Sequence, residues 1–241
     1  MIYFETFSVP TADTLFLLIL SILALESAHS IRFLYQHFLS GITEKSLNVF
    51  YYACSYAKVD YSRFMNTTAK TALKIIPDSL KTQPVFLCVD DTMVSKFGTK
   101  FENVSKLFDH AAHNSSNYLN GHCFVSIMLC VPVWNQDKIS YLSVPLGYRM
   151  WKKKESKLEL AATMIRKVMP EFQSREHVII LCDSWYTKQN LVCIVNEYPN
   201  LDLIGNARID SVMYDLASAH TGRRGRPAKH GKQLSVETDF T

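Results

Sequence analysis

The feature that most constrains the fold is a pair of apolar runs that each end in an acidic residue. Residues 85–90, VFLCVD, end at Asp90 with Asp91 directly after it, and residues 177–183, HVIILCD, end at Asp183. Short apolar runs of this kind predict buried strands. Burying a carboxylate without a partner costs several kcal/mol, so we expect a compensating cation where the two runs end.

The segments around these two runs predict a mixed sheet covered by helices. From residue 85 onward the predicted order is strand, strand, strand, helix, strand, helix, strand, at residues 85–90, 122–134, 138–151, 158–169, 177–183, 188–197 and 201–208. A short turn at residues 135–137 predicts an antiparallel hairpin, and residues 95–120 read as a polar loop. Three antiparallel strands followed by helix-linked parallel strands indicate an α/β layer.

The first third of the chain has a different pattern. Apolar residues at helical spacing between residues 10 and 76 predict a helical N-terminal unit, and residues 77–84, PDSLKTQP, are the expected boundary. We therefore predict two regions, residues 1–80 and 81–241. The apolar run at residues 14–25 is shorter than a membrane span and follows no Lys or Arg, so we expect a buried helix and no membrane insertion.

Basic residues are concentrated in two stretches. RMWKKKESK, residues 149–157, and GRRGRPAKHGK, residues 222–232, carry five Lys or Arg residues each, although the formal net charge of the chain is only +4. Local basicity is typical of surfaces that bind a polyanion. The alternative is that both stretches are simply solvated surface.

The cysteines bear on the compartment. The chain has six, none in a C-x-x-C pair, and four lie in apolar runs that read as strands. We expect reduced core residues in a cytoplasmic protein, in preference to disulfides or a zinc site.

Asp90 and Asp183 converge if their strands are neighbours in the sheet. Two close carboxylates repel each other unless a cation lies between them, and hard oxygen ligands select Mg²⁺ or Mn²⁺. Such a site suits phosphoryl transfer on nucleic acid. The alternative is that each Asp caps a turn, as Asp183 could do for the residues DSWYTKQN.

Four segments, read in order, carry a more specific pattern: VDDTMVSKFGTKFENVSKLFDHAAHNSSNYLNGHCFVSIMLCVPV, LCDSWYTKQNLV, IGNARIDSVMYDL and GRRGRPAKHGK. This pattern resembles a bacterial insertion-sequence transposase of the DDE superfamily, whose RNase H-like catalytic domain is related to that of retroviral integrases. The likeness covers about residues 85–232 and is weaker in the helical N-terminal part. It implies metal-dependent cleavage and strand transfer of DNA in the bacterial cytoplasm, at the nucleoid, by an oligomer such as a homodimer.

The resemblance assigns roles to particular positions. Asp90 matches the first acid of the family and Asp183 the second, both as ligands of Mg²⁺ or Mn²⁺. Asp91 competes with Asp90 for the catalytic role, because the other alternation of the strand would expose it instead. The third acid has no convincing match, since Glu237 and Asp239 stand in a strand-like context where a helix is expected. We therefore expect an incomplete catalytic domain, as in a truncated or frameshifted transposase.

The same resemblance gives the basic stretches a partner. The residues expected to contact DNA are Lys152, Lys153, Lys154, Arg223, Arg224, Arg226 and Lys229. The sequence Arg-Gly-Arg-Pro also resembles the core of an AT-hook, which lies in the minor groove. Trp185 and Tyr186 could stack on an unpaired base or pack between helix and sheet.

Two other functions stay open at this point. One is a nuclease of the same fold that hydrolyses DNA without joining strands. The other is a noncatalytic DNA-binding remnant, which would bind with strong salt dependence and cut nothing.

Overall fold

The computed structural model describes residues 7–27, 30–98, 100–108, 117–173, 175, 177–207, 211–215, 217, 229–235 and 238–239. The helices are α1 (Val9–Ala24), α2 (Ile31–Leu34), α3 (Ser40–Ile42), α4 (Leu47–Ser55), α5 (Tyr61–Ile75), α6 (Lys157–Val168) and α7 (Gln189–Val192). The strands are β1 (Val85–Ser95), β2 (Ser105–Phe108), β3 (Tyr118–Asn135), β4 (Lys138–Met150), β5 (Val178–Cys182), β6 (Leu201–Gly205), β7 (Met213–Tyr214) and β8 (Gln233–Leu234).

Six of the strands form one mixed sheet. Its order is β2-β3-β1-β5-β6, and β4 pairs with β3. The pairs β1–β3, β2–β3 and β3–β4 are antiparallel, whereas β1–β5 and β5–β6 are parallel. This arrangement confirms the predicted RNase H-like α/β class, in which antiparallel strands are followed by helix-linked parallel ones. The antiparallel part has four strands, not the predicted three, because it includes β2.

The hairpin is confirmed, with a tighter turn than predicted. The last pair of the β3–β4 ladder is Asn135 opposite Lys138, which leaves a two-residue loop. Gln136 and Asp137 both have positive φ, 47° and 60°. Positive φ at both central residues is the type I′ geometry, whose twist matches that of the two strands.

Several predicted boundaries were wrong. β1 continues to Ser95, and β2 lies inside the stretch predicted as a polar loop. β2 has one buried residue, Leu107, so it carries no apolar alternation that a sequence pattern could detect. The helix predicted at residues 188–197 is the four-residue α7 followed by a 3₁₀ turn, Cys193–Glu197.

The main core lies between the sheet and two helices. Odd-numbered residues in the first half of β1 and the middle of β3 are buried, among them Leu87, Val125 and Leu129. Helices α5 and α6 pack on this face. The predicted apolar face of α6 is confirmed in full, because Leu158, Ala161, Ala162, Ile165, Val168 and Met169 are all buried.

The N-terminal helices enclose a second, smaller cluster. Leu18, Leu34, Leu39 and Phe50 are buried there, away from the main core. Helix α5 precedes the predicted domain boundary at residues 77–84 but contributes Met65 and other buried residues to the sheet core. The division into residues 1–80 and 81–241 stays a prediction.

The expectation of a buried helix at residues 14–25 was half right. The segment is helical, but α1 packs through one face only, against α4 and the π-helical turn Tyr35–Leu39. Phe16 is 49% exposed, Ile19 52% and Leu23 77%. Within the described ranges, no helix combines the length and the apolarity that crossing a membrane requires.

The cysteines also depart from one expectation. Cys123 is buried and Cys88, Cys130 and Cys182 are half-buried, but Cys54 and Cys193 are exposed and so are not core residues. All six are unpaired thiols, as predicted. The two exposed thiols lie on helical segments whose outer faces the sheet does not cover.

Truncating Leu129 at the centre of β3 is expected to destabilise the fold strongly. Leu129 is fully buried, so Leu129→Ala leaves a cavity and should lower the free energy of unfolding by about 3 kcal/mol. Ile139→Ala on β4, where the side chain is 44% exposed, is the matched control and should cost less than about 1 kcal/mol. Equilibrium unfolding in urea measures both; equal losses would contradict the assignment of the core.

Candidate functional site

The parallel pairing of β1 and β5 brings two acidic residues to neighbouring positions. The last pair of the register is Val89 opposite Cys182. Asp90 and Asp183 are the next residue on each chain segment. Because paired strands lie about 4.8 Å apart, the two acids lie side by side where β5 ends.

Both carboxylates are exposed and only partly hydrogen-bonded. Asp90 Oδ1 accepts the backbone N–H of Asp91 at 2.7 Å. Asp183 Oδ1 accepts the backbone N–H groups of Trp185 and Tyr186 at 3.1 and 3.2 Å. Asp183 therefore caps the following turn, as the alternative held, but with one oxygen. Among the described residues, no hydrogen bond or ion pair engages Oδ2 of either acid.

Asp91 lies on the opposite face of β1 and belongs to a half-buried network. Its Oδ2 accepts hydrogen bonds from Lys157 Nζ at 2.6 Å and from Cys123 Sγ at 3.0 Å. The Tyr186 hydroxyl donates a longer bond to Oδ1, at 3.5 Å. The side chains of Asp91 and Lys157 are each 16% exposed. The ion pair thus joins β1 to the first residue of α6.

The network favours a protonated lysine and a neutral tyrosine. Burial lowers the pKa of Lys157, but hydrogen bonds and charge attraction from Asp91 and Cys123 outweigh it, so the pKa lies above its ordinary value. Burial, followed by the charge of Asp91, raises the pKa of Tyr186. Asp90 and Asp183 add to that rise, so all three acids lie within electrostatic range of one phenol.

Two tryptophans enclose the lysine of this network. Lys157 Nζ lies 5.7 Å from the ring centroid of Trp151 and 5.3 Å from that of Trp185, and Lys188 Nζ lies 4.6 Å from Trp185. These are cation–π distances. Tyr186 is fully buried, which favours its packing alternative, whereas Trp185 keeps 38% of its surface exposed.

Asp90 and Asp91, which the sequence left as alternatives for the catalytic role, lie on opposite faces of β1. Asp90 is exposed and has no cationic partner among the described residues, whereas Asp91 is neutralised by Lys157. Their catalytic roles stay predictions. The partners of Asp91 were missed, because Lys157 was read only as part of a basic stretch and no local pattern links residues 66 positions apart.

The donor chemistry of Asp90 and Asp183 fits a hard divalent cation. Mg²⁺ is commonly held by one or two carboxylates, with water and substrate phosphate completing its shell. In the part of the chain that the structure describes, no group of three or more His, Cys, Asp or Glu side chains is arranged to hold a metal. Glu237 lies outside the described residues, and Asp239 pairs with Lys232 at 3.1 Å.

The first basic stretch lies at the same end of the sheet as the acids. Phe124 of β3 is opposite both Thr92 of β1 and Met150 of β4, so β4 ends level with a residue two positions beyond Asp90. Lys152, Lys153 and Lys154 follow after Trp151 and are exposed. Of the second stretch, Lys229 is described and exposed, whereas Arg223, Arg224 and Arg226 lie outside the described residues.

A family model described as DDE superfamily endonuclease matches residues 48–239, which is more than half of the chain. The chain therefore belongs to the DDE superfamily endonuclease family. The match begins within α4, so it includes α5 as well as the sheet. The comparison with curated proteins gave no match.

Three solved structures are similar to the chain at low identity. The Drosophila P element transposase strand transfer complex has 10% identity and a TM-score of 0.40, over 95% of this chain and 47% of that one. The Mos1 transposase paired-end complex with left transposon end has 13% identity and a TM-score of 0.27, over 82% of this chain and 58% of that one. The Mos1 strand transfer complex has 15% identity and a TM-score of 0.26, over 82% of this chain and 58% of that one. The chain thus spans between 47% and 58% of the length of these chains.

Removing the cation of the network is expected to destabilise the protein. Lys157→Met leaves Asp91 half-buried without its counter-charge and should lower the free energy of unfolding by about 3 kcal/mol. The double variant Asp91→Asn/Lys157→Met should lose clearly less. Lys70→Met is the control, because Lys70 pairs with Glu171 while 60% exposed, and its loss should stay below about 1 kcal/mol. Denaturant unfolding measures each loss of unfolding free energy. If the loss of the double variant equals the sum of the losses of Asp91→Asn and Lys157→Met, the two residues are not coupled.

Stability is expected to fall between about pH 9 and pH 11, in part through Cys123. Burial first, and then the hydrogen bond to Asp91, raises the pKa of Cys123 from 9.0 to about 11. The folded state therefore holds this proton after the unfolded state has lost it, so the stabilisation is complete below pH 9 and disappears above pH 11. Cys123→Ala should reduce the slope of unfolding free energy against pH in this window. Cys193→Ala, at an exposed thiol, should leave the slope unchanged.

Proposed function

We propose that the chain is a DNA transposase that cleaves DNA and joins its strands by in-line phosphoryl transfer with a divalent metal ion. The observation that carries the proposal is the β1–β5 register, which makes Asp90 and Asp183 neighbours with exposed, unneutralised carboxylates. Membership of the DDE superfamily endonuclease family supports the same reaction class. The bacterial insertion-sequence origin, the homodimer and the nucleoid location stay predictions.

Asp90 and Asp183 would hold Mg²⁺ or Mn²⁺ through their carboxylate oxygens. When bound, such an ion activates the attacking oxygen and stabilises the leaving oxygen of a phosphodiester. Negative charge on both acids is required for this role, and both side chains are exposed. Asp91 acts as a positioning residue, because its pairing with Lys157 ties β1 to α6.

DNA is the proposed partner of the exposed lysines after β4. Lys152, Lys153 and Lys154 stand at the acid-bearing end of the sheet, where a backbone held by them runs close to the carboxylates. Contacts of this kind supply affinity without sequence preference and weaken as salt rises. The exposed face of Trp185 is a candidate platform for an unpaired base beside the cut.

A noncatalytic DNA-binding role is the second candidate. It is favoured by the observation that, among the described residues, Asp90 and Asp183 have no third acidic partner arranged with them. The two candidates share the DNA partner and differ in the chemistry. A nuclease that cuts without joining is separated from a transposase by a strand-transfer assay with paired DNA ends.

Neutralising either acid is expected to abolish cleavage and spare binding. Asp90→Asn and Asp183→Asn should each lower the rate of Mg²⁺- or Mn²⁺-dependent cleavage of duplex DNA by at least about 100-fold. Each variant should bind DNA as tightly as the parent protein in EDTA. Asp202→Asn is the control, because Asp202 is an exposed acid at the start of neighbouring β6, the end of the sheet opposite Asp90 and Asp183. This variant should cut normally.

The outcomes separate the candidates. Cleavage by both Asn variants at the parent rate would refute the metal site. Salt-sensitive binding without any cleavage by the parent protein would favour the noncatalytic role.

A further inference from the structure

A cavity of about 370 Å³ between the end of β4 and helix α6 carries a concentration of positive charge. Its charged lining residues are Arg149, Lys152, Glu155 and Lys167, so three cations face one acid. The remaining lining is Met150, Leu160, Thr163 and Met164. An apolar wall beside the cations lowers the local dielectric and so strengthens their attraction for an anion.

One hydroxyl holds two of these cations together. Arg149 Nη2 donates a hydrogen bond to Ser62 Oγ at 3.4 Å, and Lys167 Nζ donates to the same oxygen at 3.2 Å. Ser62 is neutral and compensates neither charge. Within the described ranges, Arg149, Lys152 and Lys167 form no ion pair. Arg149 and Lys167, which share this hydroxyl, therefore repel each other, and a bound anion relieves the repulsion.

Three separate elements build this arrangement. Arg149 is opposite Val125 in the β3–β4 ladder, so it faces the helix-covered side of the sheet. Lys167 lies in the last turn of α6, and Ser62 lies in the first turn of α5. The free N–H groups of that turn are already capped by Asp60, whose Oδ1 accepts from Ser62 N and Arg63 N at 3.0 Å each. The anion's partners are therefore the side chains of the cavity.

We propose that this cavity binds a phosphate group of a nucleic-acid backbone. Guanidinium and ammonium groups donate charge-assisted hydrogen bonds to phosphate oxygens, and neutralising a phosphate releases its condensed counterions. The inference deepens the proposed function and rests on its DNA partner.

The location of the cavity selects a nucleic-acid phosphate over a free one. The cavity opens at the end of β4, which is level with Thr92, two residues beyond Asp90. The cavity lies on the helix-covered face and Asp90 on the other, so a strand anchored there would reach the carboxylates around the end of the sheet. The exposed Lys153 and Lys154 continue the basic surface outward from Lys152, as a chain of phosphates requires.

Fluorescence anisotropy with a labelled 20-base-pair duplex, in EDTA and over a range of salt concentrations, tests the proposal without requiring cleavage. Arg149→Gln and Lys167→Gln should each weaken binding by about fivefold and make the slope of log K against log salt shallower by about 0.9. Arg149→Lys should keep the slope, because the charge is retained. Ser62→Ala should weaken binding and leave the slope unchanged, since it positions cations without adding charge.

Lys138→Gln is the matched control, because Lys138 lies on the same strand at its opposite end and is exposed. It should bind like the parent protein. Far-UV circular dichroism and thermal unfolding check that each variant is folded. If Arg149→Gln and Lys167→Gln match Lys138→Gln in affinity and slope, or if the parent protein binds no DNA, the proposal is wrong.

A second arm separates the two sources of phosphate. Inorganic phosphate should raise the unfolding temperature of the parent protein far less than the duplex does. Strong stabilisation by inorganic phosphate that Arg149→Gln abolishes, with DNA affinity unchanged, would overturn the backbone assignment. If the parent protein binds DNA but never cuts it, and the variants lose this binding, the cavity proposal is supported and transposase activity is refuted. The two proposals therefore fail separately.

Discussion

Parallel pairing of β1 with β5 is the interaction on which the rest of the structure depends. These strands come from distant parts of the sequence, and their backbone hydrogen bonds place the sheet's two buried central segments side by side. Helices α5 and α6 cover one face of this sheet, where they pack against β3 and β4 and bury its apolar side chains. The same register sets Asp90 beside Asp183, so the core and the candidate site have one structural cause.

Two adjacent acids take different roles because a strand turns successive side chains to opposite faces. Asp91 faces the helices and is neutralised by Lys157, with Cys123 and Tyr186 completing its hydrogen bonds. Asp90 faces away and keeps its charge uncompensated. The half-buried ion pair ties β1 to α6 directly beside the exposed acid.

Much of the fold could be predicted from local patterns. The apolar face of α6, the β3–β4 hairpin and the two strands that end in Asp each follow from residues close in sequence. The failures have physical reasons: β2 buries a single residue, and α1 carries apolar residues such as Phe16 and Leu23 on the side that its neighbours leave exposed. For the site, the sequence indicated Asp90, Asp183 and a basic stretch that begins at Arg149. It did not indicate that Arg149 and Lys167 meet at Ser62, because these residues lie on three elements that no spacing rule connects.

The sequence by itself determined the layer class, the identity of the charged groups and the type of the strongly patterned elements, because periodicity and turn residues act within a few positions of the chain. Only the tertiary structure decided which acid is paired, which cations share a hydroxyl and which end of the sheet collects both charges. Those outcomes depend on strand register and helix packing between residues tens of positions apart. Such contacts form only when the whole core closes, so the sequence pattern contains no local sign of them.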